Sequence, residues 1–573
     1  MIDVSVLRLL RGGTDASTRG TRSSSLRFSA LGAHTLVPFP AAVVAARVLW
    51  CNFELARQAG FSVPRRNHLS RRLERQLVEA FSLRALKPGE AVDSRRVVTL
   101  YADRYFGSGM GDHLGSARSG ILLSRNVLLK GVGRTPLARE GQPRHGDGEL
   151  QLVHAIAEAL YGELAARLFS TGAARVLAIL DQRITVKVDG RIRRAAVIAR
   201  VGAPYRPAHL VRRLDEDLTD IPRLFTRLAR HGGVLVTRTG RPHFADTMRC
   251  ILRLHARVAA EQIRWRVLHG ALSTSNMGLF GEMIDLWLLT TQDRTAAIHA
   301  TRLRYRDLIF GREHLARAVN LYAMFLSVIE TLTPRQRQYF GVEGLDCVTE
   351  FRRLYEEELA IQLLEAAGFD EPLARRLHCS HPKIVRRYVH VLTRLMALQN
   401  PGLLDARKVT ARRLGVVDVF RMLSLLPGWF VRHSHSPNSI RRLARIQVSG
   451  SAVRRRSTRA RAHRDLDRLT RIYAEIMAAA RRVAAHDSRS WRATCDAICS
   501  RAERAYISLD VYRRARLVPQ IDDLVRSYAD NGQRFPRAVQ TFIEGVLSRG
   551  GVEAPLGRAR AKRNEVLRQA EFQ

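Results

Sequence analysis

Between residues 97 and 130 the side-chain pattern limits the folds open to this chain. Residues 97–101, Val-Val-Thr-Leu-Tyr, read as a strand. A glycine-rich stretch follows, with Gly107, Gly109, Gly111, Gly115 and Gly120. Two further strand-like runs, 121–123 and 127–130, come next, the second ending on Lys130. Over 150–169 the period changes to 3.6 residues, with Leu152, Ile156, Leu160, Leu164 and Leu168 on one face and Glu158 inside the helix. Two strand-like runs, 176–180 and 184–188, then lead into Asp189-Gly190, a hairpin signal, with 196–201 as the returning strand. Strand, glycine loop, strand and strand with a terminal Lys is the layout of a lobe that closes over phosphates.

The remainder reads differently. From about 212 onward the segments 244–268, 315–335, 348–367, 383–398 and 464–485 show helical amphipathic spacing, and polar, Pro- or Arg-rich breaks near 333–338, 399–412 and 433–462 separate them. The spacing predicts an α+β chain. Residues 1–29 form a disordered lead-in, 30–211 a β-rich lobe with an N-terminal extension, 212–340 a helical lobe and 341–573 a further helical region. Residues 41–60 read as strand or helix leading into a helix that stops at Gly60. With 573 residues and 46% hydrophobic content, the chain can bury a large core. No apolar run approaches the roughly 20 residues of a membrane span.

The net charge of +42 comes almost entirely from Arg. A basic surface attracts nucleic acid, phosphate ligands or anionic membranes. Arg is spread along the whole chain, however, as a coding bias would leave it. Lys occurs at only Lys87, Lys130, Lys187, Lys383, Lys408 and Lys562, so a Lys at a motif position carries information. The six cysteines are too sparse for a disulfide scaffold and read as reduced residues of a cytoplasmic protein. Cys379 between His378 and His381 resembles half a zinc site with no second half at ligand spacing. The Arg/Ser-rich, acid-poor N-terminus carries an alternative address, that of a mitochondrial transit peptide.

Residues 269–285 place Asn276 and Asp285 nine positions apart around a short apolar hairpin-like segment, a means of offering two oxygen ligands to a nucleotide-bound magnesium ion. Nucleotide chemistry also needs backbone amides near the phosphates, a cation on them and an acid to hold that cation. The glycines at 107–120, Lys130 and Glu158 supply one candidate each, in an order that makes the set far more specific than its members.

Several blocks carry a resemblance to a known family. Tyr101-Ala-Asp-Arg-Tyr-Phe-Gly107 resembles Tyr-Ala-Gly-His-Gln-Phe-Gly, and Gly111-Asp-His-Leu-Gly-Ser-Ala-Arg118 follows a glycine-rich loop. Leu129-Lys-Gly-Val-Gly-Arg-Thr-Pro136 is nearly Leu-Lys-Gly-Ala-Gly-Arg-Thr-Pro. Gly146-Asp-Gly148 matches the next block, with Glu158 at the expected distance beyond it. Arg200-Val-Gly-Ala-Pro-Tyr-Arg206, with His209, resembles a two-arginine block, with one residue fewer between the arginines. His269-Gly through Asp285 aligns without gaps to His-Gly-Val-Met-Asn-Thr-Asp-Asn-Met-Ser and its downstream Ile-Asp. By these blocks the chain resembles selenoprotein O, also called YdiU, a family of protein adenylyltransferases with a protein kinase-like fold. The resemblance spans about 97–290, loosens over 27–96 and fades beyond 300.

The resemblance implies a two-lobed kinase-like fold with extra helices. It implies that ATP is held in an inverted orientation, so that AMP passes to Ser, Thr or Tyr hydroxyls of proteins, the chain itself included. Carried over by position, Lys130 and Glu158 form an ion pair. Arg200 and Arg206 hold phosphates, as a bidentate guanidinium suits. Gly111, Gly115, Arg118, Asp147 and Gly148 lie by the nucleotide, and Asn276 and Asp285 ligate magnesium or manganese.

Three departures stand against it. The family's proposed base, the Asp before the metal Asn, is Ser275, and a hydroxyl is a poor base, so lost base assistance would cost about 10²–10⁴-fold. Residues 286–289, Leu-Trp-Leu-Leu, replace a Gly-Pro-Phe stretch. Residues 566–573 hold no Cys to carry a terminal redox role. The sequence therefore leaves three readings: an adenylyltransferase, an ATP-binding pseudokinase-like regulator, and a nucleic-acid-binding protein using the Arg-rich run 454–461.

Overall fold

The computed structural model describes residues 26–33, 35–90, 92–105, 115–138, 146–188, 190–211, 221–291, 312–398, 419–432, 456–485, 490–505, 510–512, 514–528 and 534–549. Gly111, most of the 1–29 lead-in and the first residues of the 454–461 run lie outside them. The fold is α+β. An antiparallel sheet of eight strands takes β1 (Leu36–Val43), β2 (Arg47–Cys51), β3 (Leu83–Ala85), β4 (Val97–Asp103), β5 (Ser119–Leu122), β6 (Val127–Lys130), β7 (Arg175–Asp181) and, after the separate ribbon β8 (Thr185–Val188) and β9 (Arg191–Arg194), β10 (Val197–Val201). Their order across the sheet is β2-β7-β10-β6-β5-β4-β1-β3.

The ribbon corrects one expectation. Residues 196–201 do not return the hairpin; β9 does, pairing Val188 with Arg191 and Thr185 with Arg194. Arg-Ile-Arg-Arg suits an exposed ribbon. Val197, Ile198 and Ala199 are apolar on both faces, so that run goes to the middle of the large sheet, between β6 and β7.

Helices cover both sheet faces. On one, α1 (Phe53–Gln58) buries Leu55 and Ala56, and α2 (Arg71–Phe81) buries Leu73, Leu77 and Phe81, in a cluster with Leu177, Leu180 and Val197. Ser70 starts α2 by accepting from Leu73 N, an N-cap. On the other lies α3 (Leu152–Leu168), whose Ile156, Leu160 and Leu164 pack with Val176, Ile179 and Ile198. The α3 helix is buried nearly all round, beyond the one-faced pattern of its leucines. A helical lobe follows, built on α4 (Ile221–Gly232) and α5 (Phe244–Trp265), with helices Arg312–Glu330 and Cys347–Ala366 packed into the same core. The break at 333–338 is itself a short helix, Pro334–Tyr339, started by a Thr333–Gln336 capping box. The later break ends at Arg456, where the helix Arg456–Ala484 begins.

The helices Arg514–Arg526 and Phe535–Arg549 leave the helical lobe and pack on α3 and β2. Among the described residues no helix is long and apolar enough to cross a membrane. Cys379 is exposed, and among the described residues no group of three or more His, Cys, Asp or Glu side chains is placed to hold a metal ion.

Candidate active site

Sheet register brings the first two functional side chains together. On paired strands β6 and β10, Lys130 stands opposite Ile198 and Arg200 opposite Leu128. Cross-strand partners share a face and alternate residues return to it, so both cations point towards α3. There they meet Glu158. Lys130 Nζ lies 2.8 Å from Glu158 Oε2, and Arg200 Nη1 lies 2.8 Å from Glu158 Oε1. The same two cations reach Asp285 Oδ1, at 2.9 Å for Lys130 and 2.5 Å for Arg200. Two cations and two carboxylates thus close a ring, with side-chain exposures of 5% for Lys130, 1% for Glu158, 4% for Arg200 and 20% for Asp285. Losing one member would leave a buried charge uncompensated, at a cost of about 3–5 kcal/mol. Burial disfavours a charged Asp285, but Lys130, Arg200 and Arg206 outweigh it and hold the carboxyl well below the usual range. Burial likewise opposes charge on Arg200, and Asp285 with Glu158 more than restores it.

Asp285 sits at φ 57° and ψ 59°, left-handed backbone that a non-glycine residue holds only under constraint. The constraints are visible. His269 Nε2 is 2.6 Å from the carbonyl oxygen of Ile284. The hairpin between Asn276 and Asp285 is real: Met277 bridges Met283, and Gly278 N donates to Glu282 O at 2.8 Å. Leu279 N donates to Tyr205 O, His255 lies 3.0 Å from Leu279 O, and Ala174 N donates to Met283 O. Glu282 accepts from Phe280 N and is 6% exposed, so it braces the turn.

Asn276 is oriented by its Nδ2, which donates to Ala271 O at 2.8 Å. Its Oδ1 and Asp285 Oδ2 have no hydrogen-bond partner among the described residues. Two hard oxygens left open fit a divalent cation whose remaining ligands are phosphate and water. Ser275 Oγ, at the substituted base position, shares a hydrogen bond with Ser273 Oγ at 3.0 Å.

Arg206 joins this loop to the sheet. Its Nη1 donates to Ser275 O at 2.5 Å, its Nε is 3.6 Å from Asp103 Oδ2, and its guanidinium lies 4.8 Å from the Tyr105 ring centre. Asp103, fully buried, pairs at 2.8 Å with His209 Nε2. His209 Nδ1 accepts from Arg206 N, so the ring hydrogen on Nε2 is the one given to Asp103. Asp103 was missed as a site residue; its signal was an acid where the resembled motif has Gly.

The glycine loops explain the specificity of two motifs. A Cβ on Gly148, at φ 81°, would meet Gly133 C at 2.1 Å, because Gly133 N donates to Gly148 O and the two loops cross. Gly115 likewise lies against Asp103 O. Arg118 is buried and donates to Glu149 O at 2.9 Å. Burial lowers its pKa, while Asp285, Glu158 and Asp147 oppose the shift. Asp147 Oδ1 accepts from Glu149 N. Every expected site residue except Gly111 is thus placed. Arg200 and Arg206 differ from expectation in being engaged by Glu158, Asp285 and Asp103.

No family model matches the chain. It is similar to the protein nucleotidyltransferase YdiU of Cereibacter sphaeroides, 28% identical over 268 residues, which is 44% of this chain and 50% of that protein. It is also similar to the YdiU of Chromobacterium violaceum, 27% identical over 253 residues, 42% of this chain and 48% of that protein. The chain spans about half the length of the curated relatives it matches. That similarity is to proteins that carry the name of the family whose blocks the sequence resembles, the YdiU or selenoprotein O family.

Proposed function

We propose that this protein binds ATP with a divalent cation and transfers AMP to protein hydroxyl groups. The observation that carries the reading is the buried ring of Lys130, Glu158, Arg200 and Asp285, which concentrates cations where the sheet, α3 and the 276–285 hairpin converge. Asn276 and Asp285 would hold magnesium, which supplies charge neutralisation on the phosphates. Lys130 supplies a point charge, oriented by Glu158. Arg118, Arg200 and Arg206 supply guanidiniums whose buried setting strengthens attraction to an anion. Such transfer is mostly positioning and charge stabilisation, so it tolerates a missing base at reduced rate.

Ser275 favours a second reading, a nucleotide-binding regulator without turnover. One experiment separates the two. The protein is incubated with magnesium and ATP labelled on the α-phosphate in one sample and the γ-phosphate in another. Label on protein from the α-position alone supports AMP transfer; γ-label alone means phosphoryl transfer. ATP binding with no label from either position, on itself or on added proteins, sinks the transferase reading.

A further inference from the structure

Glu158 and Asp285 are joined by a second set of contacts that the nucleotide chemistry does not require. One turn before Glu158 on α3, His154 packs its ring against Trp287, with centroids 4.1 Å apart and planes inclined by 34°. Trp287 lies two residues after Asp285, on the 3-10 turn Leu286–Leu288, where this chain departs from the Gly-Pro-Phe of the resembled family. The other partner of Trp287 comes from far along the chain. The Arg514 guanidinium lies 5.0 Å from the Trp287 ring centre, and Arg514 Nη1 donates to the Trp287 carbonyl oxygen. Arg514 thus grips both the side chain and the backbone of the segment leaving Asp285.

Near Arg514 in the chain, Tyr512 is anchored to α3 and to the last described helix. Tyr161 Oη, on α3, donates to Tyr512 O at 3.1 Å, and Tyr512 Oη donates to Leu547 O at 3.1 Å. Leu286 and Leu289 share a buried cluster with Leu160, Leu517, Ile521 and Ile543. At the sheet edge the Gln540 side-chain amide pairs with both backbone groups of Cys51, at 3.3 Å and 3.4 Å, as a neighbouring strand would. The segment 510–549 therefore touches α3, the edge of the sheet and the turn after Asp285.

We propose that Arg514, acting through Trp287 and His154, is a positioning residue that fixes the backbone of Asp285 and its height beneath Glu158. The C-terminal helices thereby set whether the nucleotide site is assembled. Asp285 needs such support because its left-handed backbone is not self-sustaining. The functional part of this inference rests on reading Glu158 and Asp285 as nucleotide-site residues.

The test compares full-length wild type with Arg514→Ala, Arg514→Gln and Arg514→Lys by hydrogen exchange and by magnesium-dependent ATP binding. Loss of a cation–π contact and a hydrogen bond predicts about tenfold faster exchange over 284–289 in Arg514→Ala. Exchange over 347–366 should be unchanged, and magnesium-dependent ATP affinity should fall by a similar factor. Arg514→Lys, which keeps the cation, should recover most of both, and Arg514→Gln serves if the alanine variant does not fold. Unchanged exchange over 284–289, or acceleration equal at 284–289 and 347–366, overturns the positioning role. Exchange decides that role even if the wild type binds no ATP, a result that would instead remove the proposed function.

Discussion

Ser275→Asp is the substitution that most sharply tests how this site works. In the structure the Ser275 hydroxyl meets Ser273, and its carbonyl accepts from Arg206. Arg206 Nη1 lies 2.5 Å from the Ser275 carbonyl oxygen, so a separation on the order of 5 Å is taken for a carboxylate at this position. At an effective dielectric near 20, that pair is worth about 3 kcal/mol, enough to lower the new carboxyl by about two pKa units. Asp103 lies on the same guanidinium, with 3.6 Å between Arg206 Nε and Asp103 Oδ2, and cancels part of that pull. The new group is therefore ionised at neutral pH but a weak base. The gain in AMP transfer should sit at the low end of the general-base range, about 10²-fold. The assay is initial-rate incorporation of α-phosphate label at saturating ATP, with ATP affinity measured separately. A gain below about threefold with unchanged ATP affinity would refute the claim that the missing acid limits turnover.

Three further outcomes follow from the geometry. Lys130→Met leaves Glu158 with Arg200 alone and should cost about 3–5 kcal/mol in urea unfolding, with loss of the ATP-induced rise in Tm. Burial lowers the pKa of both His154 and His255 to about 3, with neighbouring cations adding to the effect. The unfolded chain takes up those protons near pH 6.5, so this stability is complete above pH 6.5 and lost as the pH falls towards 3. At pH 5 the loss is about 2 kcal/mol per histidine, and an unfolding free energy that stays flat from pH 7 to pH 5 contradicts it. Gly148→Ala must place a Cβ against Gly133 at positive φ and should destabilise by at least about 2 kcal/mol, read as a lowered urea midpoint with unchanged slope.

What could be read from the sequence was set by how locally each feature is encoded. Lys130 and Glu158 were legible because lysine is rare here and each residue sits in a periodic element. The 276–285 hairpin was legible because both its ends and its apolar middle lie within one short segment. The closing of the ring by Arg200 was not, because it depends on the register of β10 against β6, and the hairpin signal at 189–190 drew that strand into the wrong pairing. The Asp103–His209 pair and the Arg514–Trp287 contact join residues far apart in sequence, and no periodicity encodes them.

The two substitutions around Arg206 have a common electrostatic sense. The resembled motifs carry an acid at position 275 and Gly at position 103; this chain carries Ser275 and Asp103. Arg206 contacts both places, through Nη1 to Ser275 O and through Nε towards Asp103. Relative to those motifs, the acid among the residues that Arg206 contacts stands on the sheet rather than on the loop. Asp103 is fully buried and bonded to His209, a place from which it anchors Arg206. Under the proposed function, charge balance around the phosphate-facing cations and base assistance to the acceptor would be separable, Asp103 serving the first and Ser275 unable to serve the second. Asp103→Gly combined with Ser275→Asp should restore base assistance while keeping Arg206 neutralised. Asp103→Gly alone should leave Arg206 held by the Ser275 carbonyl and the Tyr105 ring, and lower ATP affinity without changing the base.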